Sequence, residues 1–189
     1  MNTLNDILSK EIEEFREKGH KFLNKEMTVG EFKKASGGMG VYAHRGGKEF
    51  MVRLRVPSGV AGLSLLEEAY NWAKKYNLEK IHLTTREAIQ LHGISIDAVC
   101  DIMQEGLNKG IYTRGGGGNF PRNVALNPLS GVQIGETFDV TPYALASNAH
   151  YMSKIYTYNL PRKIKTAFSN TEEDSAHCTV TDLGFLAVE

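Results

Sequence analysis

The sequence predicts an α+β fold in two parts, and three observations carry that prediction. Residues 4–23 set Leu4, Ile7, Leu8, Ile12, Phe15, Phe22 and Leu23 among acids and lysines at helical intervals, the signature of a helix with one apolar face. From Val41 to Gly110 the pattern runs strand, helix, strand, strand, helix, the order of a ferredoxin-like α/β sandwich. Beyond residue 111 the texture changes to glycine and proline punctuation, then a helix and two strands, which reads as a second α/β part.

After the first helix, MTVGEFKKASGGMG mixes glycine, serine and lysine and reads as a connector; residues 1–37 are assigned to helix plus connector. VYAHR and EFMVRLRV follow around a Gly46-Gly47 turn, and in the latter Phe50, Val52, Leu54 and Val56 alternate with Met51, Arg53 and Arg55, as in a two-faced strand. LSLLEEAYNWAKKYNL is expected to be helical, with Ser64 as its cap and Leu65, Ala69, Trp72, Ala73 and Tyr76 as its buried stripe. IHLTT and AIQLHGI read as strands, SIDAVCDIMQEGLNKG as a helix ending at Gly110, and IYTRG as a further strand. This unit occupies 38–111 and the second part 112–189, with the loop TRGGGGNFPRNVALNPLSGV, a helix at TPYALASNAHYMSKIYTY and strands at LPRKIKTAFS and DLGFLAVE. The chain stops straight after that apolar run, which reads as a truncation.

The apolar fraction of 41% and charged fraction of 23% match ordinary globular domains and argue against disorder. Acidic and basic residues balance at 22 each, so there is no overall basic field and nucleic acid is not an expected partner. No stretch reaches the ~20 apolar residues of a membrane span, and no leader is visible, so a cytoplasmic protein is expected, with no membrane partner. Cys100 and Cys178 are far apart and in no CxxC arrangement, which gives neither a disulfide framework nor a metal site.

Four stretches combine cations with strand or loop geometry. Arg53 and Arg55 stand two apart, hence on one strand face, as a multi-donor surface for oxyanions or simply a solvated face. In LTTREAIQLHG, Arg86 and Gln90 bracket a strand link, and His92 shares the face of Gln90. GGGGNFPRNV offers unshielded backbone N–H groups that could form an anion nest, with Arg122 at its end; a flexible connector is the plain reading. The GK[ST] and GxGxxG patterns of nucleotide loops are not satisfied. LPRKIK sets Lys163 and Lys165 on one strand face and Arg162 on the other. Such a pair suits a bound anion, or an edge strand guarded by lysines.

In order and approximate spacing, GVYAHR, MVRLRVPSG, LTTREAIQLHG, PRNV, LPRKIKTAFS and DLGF resemble the N-terminal half of the sirohaem- and iron–sulfur-dependent nitrite and sulfite reductases, over residues 40–188. The resemblance implies that the first unit is the ferredoxin-like half-domain covering the sirohaem and that the second is the beginning of the sirohaem and iron–sulfur domain. It implies that Arg53, Arg122, Lys163 and Lys165 surround the substrate oxyanion. Arg55, Arg86, Gln90, His92, Asn123 and Arg162 then bind the sirohaem carboxylates or support that shell. His82 stands where a further basic contact is expected.

Also implied are nitrite or sulfite as substrate, a six-electron reduction to ammonia or sulfide, sirohaem and a 4Fe-4S cluster as cofactors, and an electron donor such as ferredoxin or a flavoprotein. Such a cluster needs four cysteine ligands, expected in a C-terminal half outside this chain, so the chain alone is expected to be inactive. The alternative is a non-catalytic ferredoxin-like module that binds an anionic tetrapyrrole or a partner protein.

Overall fold

The computed structural model describes residues 3–189. Helix α1 (Leu4–Leu23) opens with a capping box: the Thr3 hydroxyl accepts from the Asp6 N–H at 3.2 Å, and the Asp6 carboxylate accepts from the Thr3 N–H at 2.8 Å. A second box, Thr28 with Glu31, starts α2 (Val29–Gly37) inside the segment expected to be a connector. Two donors satisfied at that helix start, together with the burial of Phe32, outweigh its flanking glycines. Phe32 stacks on Phe22 at 4.2 Å and meets Phe50 edge-on at 5.6 Å, so both N-terminal helices share the core of the first sheet. Gly19 lets α1 lie against Ile96, where a β-carbon would collide.

That sheet holds β1 (Val41–Ala43), β2 (Phe50–Arg55), β4 (Ala88–Ile94) and β3 (Ile81–Leu83) in that order, all antiparallel. Helices α3 (Leu63–Lys75) and α4 (Ile96–Asn108) cover one face, packing Trp72, Val99 and Ile102 with Val52, Leu54, Ile89 and Leu91. Alternation then sends Arg53, Arg55 and Gln90 to the other face, and Arg53 is the register partner of Gln90. Helix α3 starts at Gly62 without a side-chain cap, so the expected Ser64 cap is not made, whereas Ser95 caps α4 through the Ala98 N–H at 3.2 Å.

The expected strand at IYTRG does not form. β1 already occupies the edge beside β2, and Gly110 and Gly115, at φ of 73° and 75°, turn the chain away after one contact, the Arg55 N–H donating to the Tyr112 carbonyl at 2.8 Å. The second sheet is parallel: β5 (Ala125–Leu126), β6 (Thr166–Ser169) and β7 (Leu183–Leu186). Helix α5 (Thr141–Ser153) packs Ala144 with Val124, Leu126 and Phe168 and is followed by a 3-10 turn at Ile155–Thr157. Strand β6 starts five residues after the proline of LPRKIKTAFS, so that stretch is a strand only in its second half; before it, Ile164 makes a single parallel bridge to Pro121. Pro161 has no N–H to give a ladder. No helix among the described residues is long and apolar enough to cross a membrane.

Candidate functional site

Where the open face of the first sheet meets the chain entering the second, a cavity of about 270 Å³ is lined by Arg53, Arg55, Thr84, Thr85, Arg86, Ala88, Gln90, Gly116, Arg122 and Asn123. Four guanidinium groups converge there. Two arginines elsewhere are neutralised: Arg114 Nε donates to Glu11 at 2.7 Å, and Arg16 meets Asp97 at 3.2 Å and Asp101 at 2.9 Å. Among the described residues, no carboxylate lies within ion-pair distance of the four cavity arginines. Bringing like charges together away from water is unfavourable unless an anion compensates them.

Backbone carbonyls hold these arginines in place. Gly116 O accepts from Arg53 Nη1 at 2.6 Å and from Arg122 Nη1 at 3.0 Å, and Gly118 O accepts from Arg122 Nη2 at 3.1 Å. The Arg122 Nε is buried without a partner, a donor left for a ligand. The glycine run therefore works through its carbonyls. Three of its N–H groups are committed elsewhere, to Gly38 O, Thr113 O and the Tyr42 hydroxyl, so the run is neither an anion nest nor a free connector. Its glycines are required by close approach: a β-carbon at Gly116 would stand 2.8 Å from Thr113 O.

Arg55 is only 3% exposed. It donates to Pro121 O at 2.9 Å, Arg122 O at 3.2 Å and Asn148 Oδ1 at 3.3 Å, tying the first sheet to the second part. Burial, then the charge of Arg122, pushes its pKa down to about 10; burial likewise lowers those of Arg53 and Arg86. Asn123 is a bracket: its Nδ2 donates to Val56 O at 2.7 Å and Glu87 O at 2.9 Å, while its Oδ1 is buried unpaired.

The cavity thus unites Arg53, Arg55, Arg86, Gln90, Arg122 and Asn123, the predicted residues from three of the four stretches. His92 lies outside its wall, joined to it through Gln90. Arg162 and Lys163 are exposed, Lys165 is half-buried, and none of the three lines the wall. The Arg122 N–H donates to Ile164 O at 2.9 Å, so Lys163 and Lys165 flank the residue tied to Arg122. Thr84, Thr85 and Gly116 were missed in the wall, and Asn148 and Ser58 behind it; Asn148 Nδ2 donates to Ser58 Oγ at 2.9 Å. Asn148 stood out only as a polar residue four places from Ala144 and Met152 on the apolar stripe of α5.

Residues 117–189 match the family described as the nitrite and sulphite reductase 4Fe-4S domain, and residues 42–108 match the nitrite/sulfite reductase ferredoxin-like half domain. The chain belongs to the nitrite and sulfite reductase family. Among family members, it is 29% identical over 142 residues to the ferredoxin–nitrite reductase of Synechococcus elongatus, covering 72% of this chain and 28% of that one. It is 29% identical over 141 residues to the ferredoxin sulfite reductase of Mycobacterium tuberculosis, covering 75% and 25%. The solved structure of Mycobacterium tuberculosis NirA superposes with a TM-score of 0.74 at 23% identity, covering 98% of this chain and 38% of that one, and so shares the fold. The chain spans about a quarter of the length of these curated relatives. The cavity sits at the junction of the two family segments, Arg53, Arg55, Arg86 and Gln90 coming from the first and Arg122 and Asn123 from the second.

Two cofactor chemistries can be tested against these residues. A polycarboxylate tetrapyrrole fits: the cavity offers unneutralised guanidinium groups and an orphaned donor on Arg122. A 4Fe-4S cluster does not, because it takes four thiolates and the sequence has only Cys100 and Cys178, both buried. Burial pushes the Cys100 thiol up to about 12, and Cys178 Sγ donates to Phe185 O at 3.3 Å.

Proposed function

We propose that this chain is the anion-gripping part of an oxidoreductase that reduces nitrite or sulfite to ammonia or sulfide at a sirohaem coupled to a 4Fe-4S cluster. One observation carries the reading: four unneutralised arginines around a cavity at the junction of the two family segments. The names of the relatives add support for nitrite or sulfite as substrate and for ferredoxin as electron donor; a flavoprotein donor has the same chemistry. Two free thiols, Cys100 and Cys178, suit a reducing cytoplasm.

In this reading Arg53 and Arg122 clamp the substrate oxyanion. Their Nη groups are held on Gly116 O, so the fork is set before the anion arrives and little order is lost on binding. Lys163 and Lys165 complete the grip from the stretch that leads into β6; an ammonium can pass a proton to an oxygen as its bond to nitrogen or sulfur weakens, and regain one from water. Arg86, Gln90 and Arg162 take cofactor carboxylates, while His92 supports that wall through Gln90, as do Arg55 and Asn123, whose donors are spent on backbone carbonyls. Sirohaem, when bound, supplies the electrons at its iron. The cluster ligands belong to protein beyond these residues.

Sirohaem added to the chain is expected to develop a Soret band, with affinity reduced about tenfold by Arg86→Ala or Arg122→Ala, the weight of a charge-assisted hydrogen bond. In an intact relative, alanine at the two positions matching Lys163 and Lys165 is expected to cut turnover with nitrite and sulfite. Unchanged turnover there, or equal sirohaem binding by the arginine variants, would sink the assignment.

A further inference from the structure

Behind the cavity wall a string of polar groups runs to the surface, and donor chemistry gives it one direction. Arg53 can only donate, so the Gln90 amide must turn its oxygen toward it. In that orientation Gln90 Oε1 accepts from Arg53 Nη2 at 2.6 Å and Nε at 3.0 Å, and Gln90 Nε2 donates to His92 Nε2 at 3.1 Å. An imidazole nitrogen that accepts carries no hydrogen, so the hydrogen of His92 is on Nδ1. Nδ1 donates to His44 Nε2 at 3.2 Å. The hydrogen of His44 is then on Nδ1, 3.8 Å from the Glu49 carboxylate. A residue that cannot accept closes one end, and one that cannot donate closes the other.

We infer that His92 and His44 are positioning residues for Arg53: neutral His92, in its Nδ1–H form, holds the Gln90 oxygen on the guanidinium, and protonation of His92 turns Gln90 over and frees the Nε and Nη2 donors of Arg53, which stays on Gly116 O through Nη1. Protonated His92 has two donors and no acceptor. Its Nε2–H then needs the Gln90 oxygen, which leaves the Gln90 amide nitrogen facing the Arg53 donors, an arrangement with no hydrogen bond in it. The inference deepens the anion-gripping reading and rests on it for the significance of Arg53, but not for the geometry.

The surroundings of His92 keep the string in its neutral form at ordinary pH. His44 faces it from the end of β1 with ring centroids 5.4 Å apart, and His82 from β3 at 6.1 Å. Lys80 precedes β3, Arg53 lies beyond Gln90 on β2, and two acids are near, Glu49 on the far side of His44 and Glu79 on the wall of the hollow that His92 lines. Burial first, then the charges of His44, His82, Lys80 and Arg53, holds the His92 pKa below its usual value of 6.5. Release therefore follows acidification below that value. Three histidines in proximity do not make a metal site here, since no metal-holding group of His, Cys, Asp and Glu occurs among the described residues.

The experiment reads these side chains directly in the full chain, labelled with nitrogen-15 and without added anion. At about pH 8, imidazole nitrogen shifts are expected to report the Nδ1–H tautomer for His92. The Arg53 Nε–H is expected to exchange about tenfold more slowly than in a free guanidinium and to lose that protection as His92 titrates. Arg114 Nε–H, fixed on Glu11, is the reference that should not follow His92. His92→Phe should lower Arg53 protection at every pH and remove its pH dependence. Gln90→Glu, an acceptor toward both neighbours, should keep Arg53 protected while His92 titrates at higher pH, and it tests the idea independently should His92→Phe fail to fold. An Nε2–H tautomer for His92, or Arg53 protection indifferent to its titration, would overturn the inference. Absence of a Soret band with this result intact would strike the proposed function alone.

Discussion

Replacing Glu87 by glutamine probes the junction between the two family segments through its pH dependence. Glu87 sits at the β3–β4 turn with φ of 52°, and its Oε1 accepts from the Leu126 N–H at 2.9 Å, fastening the turn to β5. Its Oε2 is buried without a partner. Burial raises its pKa from 4.5 to about 7, against the Leu126 hydrogen bond and the neighbouring charge of Arg86. Between those two values the folded chain binds more protons than the unfolded one, so stability falls as pH rises through that window and the full penalty stands above it. A displacement of that size corresponds to about 3 kcal/mol, and partial exposure to solvent brings it nearer ~2 kcal/mol. The Glu87→Gln side chain keeps an oxygen for Leu126 and carries no titrating group. Relative to wild type, the variant should gain ~2 kcal/mol at about pH 8 compared with about pH 5, or roughly 4–8 °C in Tm for a chain of this size. Urea or thermal unfolding at both pH values measures it. A stability gap between variant and wild type that is the same at about pH 5 and about pH 8 would refute the reasoning.

Asn148→Ala removes the side chain that accepts from Arg55 and donates to Ser58; leaving a buried guanidinium donor short of a partner should cost about 2–3 kcal/mol in denaturant unfolding, and a loss below about 0.5 kcal/mol would contradict the bridging role. Thr28→Ala, which breaks the capping box of α2, should cost about 1 kcal/mol, seen also as faster amide exchange at the start of that helix. Phe32→Ala should cost about 3–5 kcal/mol, because Phe32 is 2% exposed and packs between Phe22 and Phe50.

The alternation of EFMVRLRV is enough to set Arg53 and Arg55 on one face, and the register of β2 against β4 then brings Gln90 beside Arg53. Burial is not legible in the same way. A strand pattern says which residues share a side but not what covers that side, and the cover over Arg55 is Pro121, Arg122 and Asn148, brought there from beyond the next helix. The glycine run misleads for a related reason: each glycine offers both an N–H and a carbonyl, and only tertiary contacts decide which faces the site. In α2 the signal is present, Thr28 and Glu31 three apart ahead of Phe32, but the glycine and serine content around it points the other way. Lys163 and Lys165 flank the residue tied to Arg122 as alternation suggests, yet they stand on a stretch that pairs only through Ile164, because Pro161 starts it without a ladder donor.

The crossing between the two family segments also sets where the chain can tolerate added length. The link from Ile111 to Arg122 leaves the first sheet and, on the way, supplies the carbonyls of Gly116 and Gly118 that grip Arg53 and Arg122. Linkers are ordinarily where insertions are absorbed at least cost. Here even one extra residue would slide those carbonyls out of phase with two guanidinium groups, whereas the Gly46-Gly47 turn, away from the cavity wall, could lengthen freely. The connector is in effect a measured part of the grip, and the spacing of its glycines is as much a constraint on the anion site as the arginines themselves.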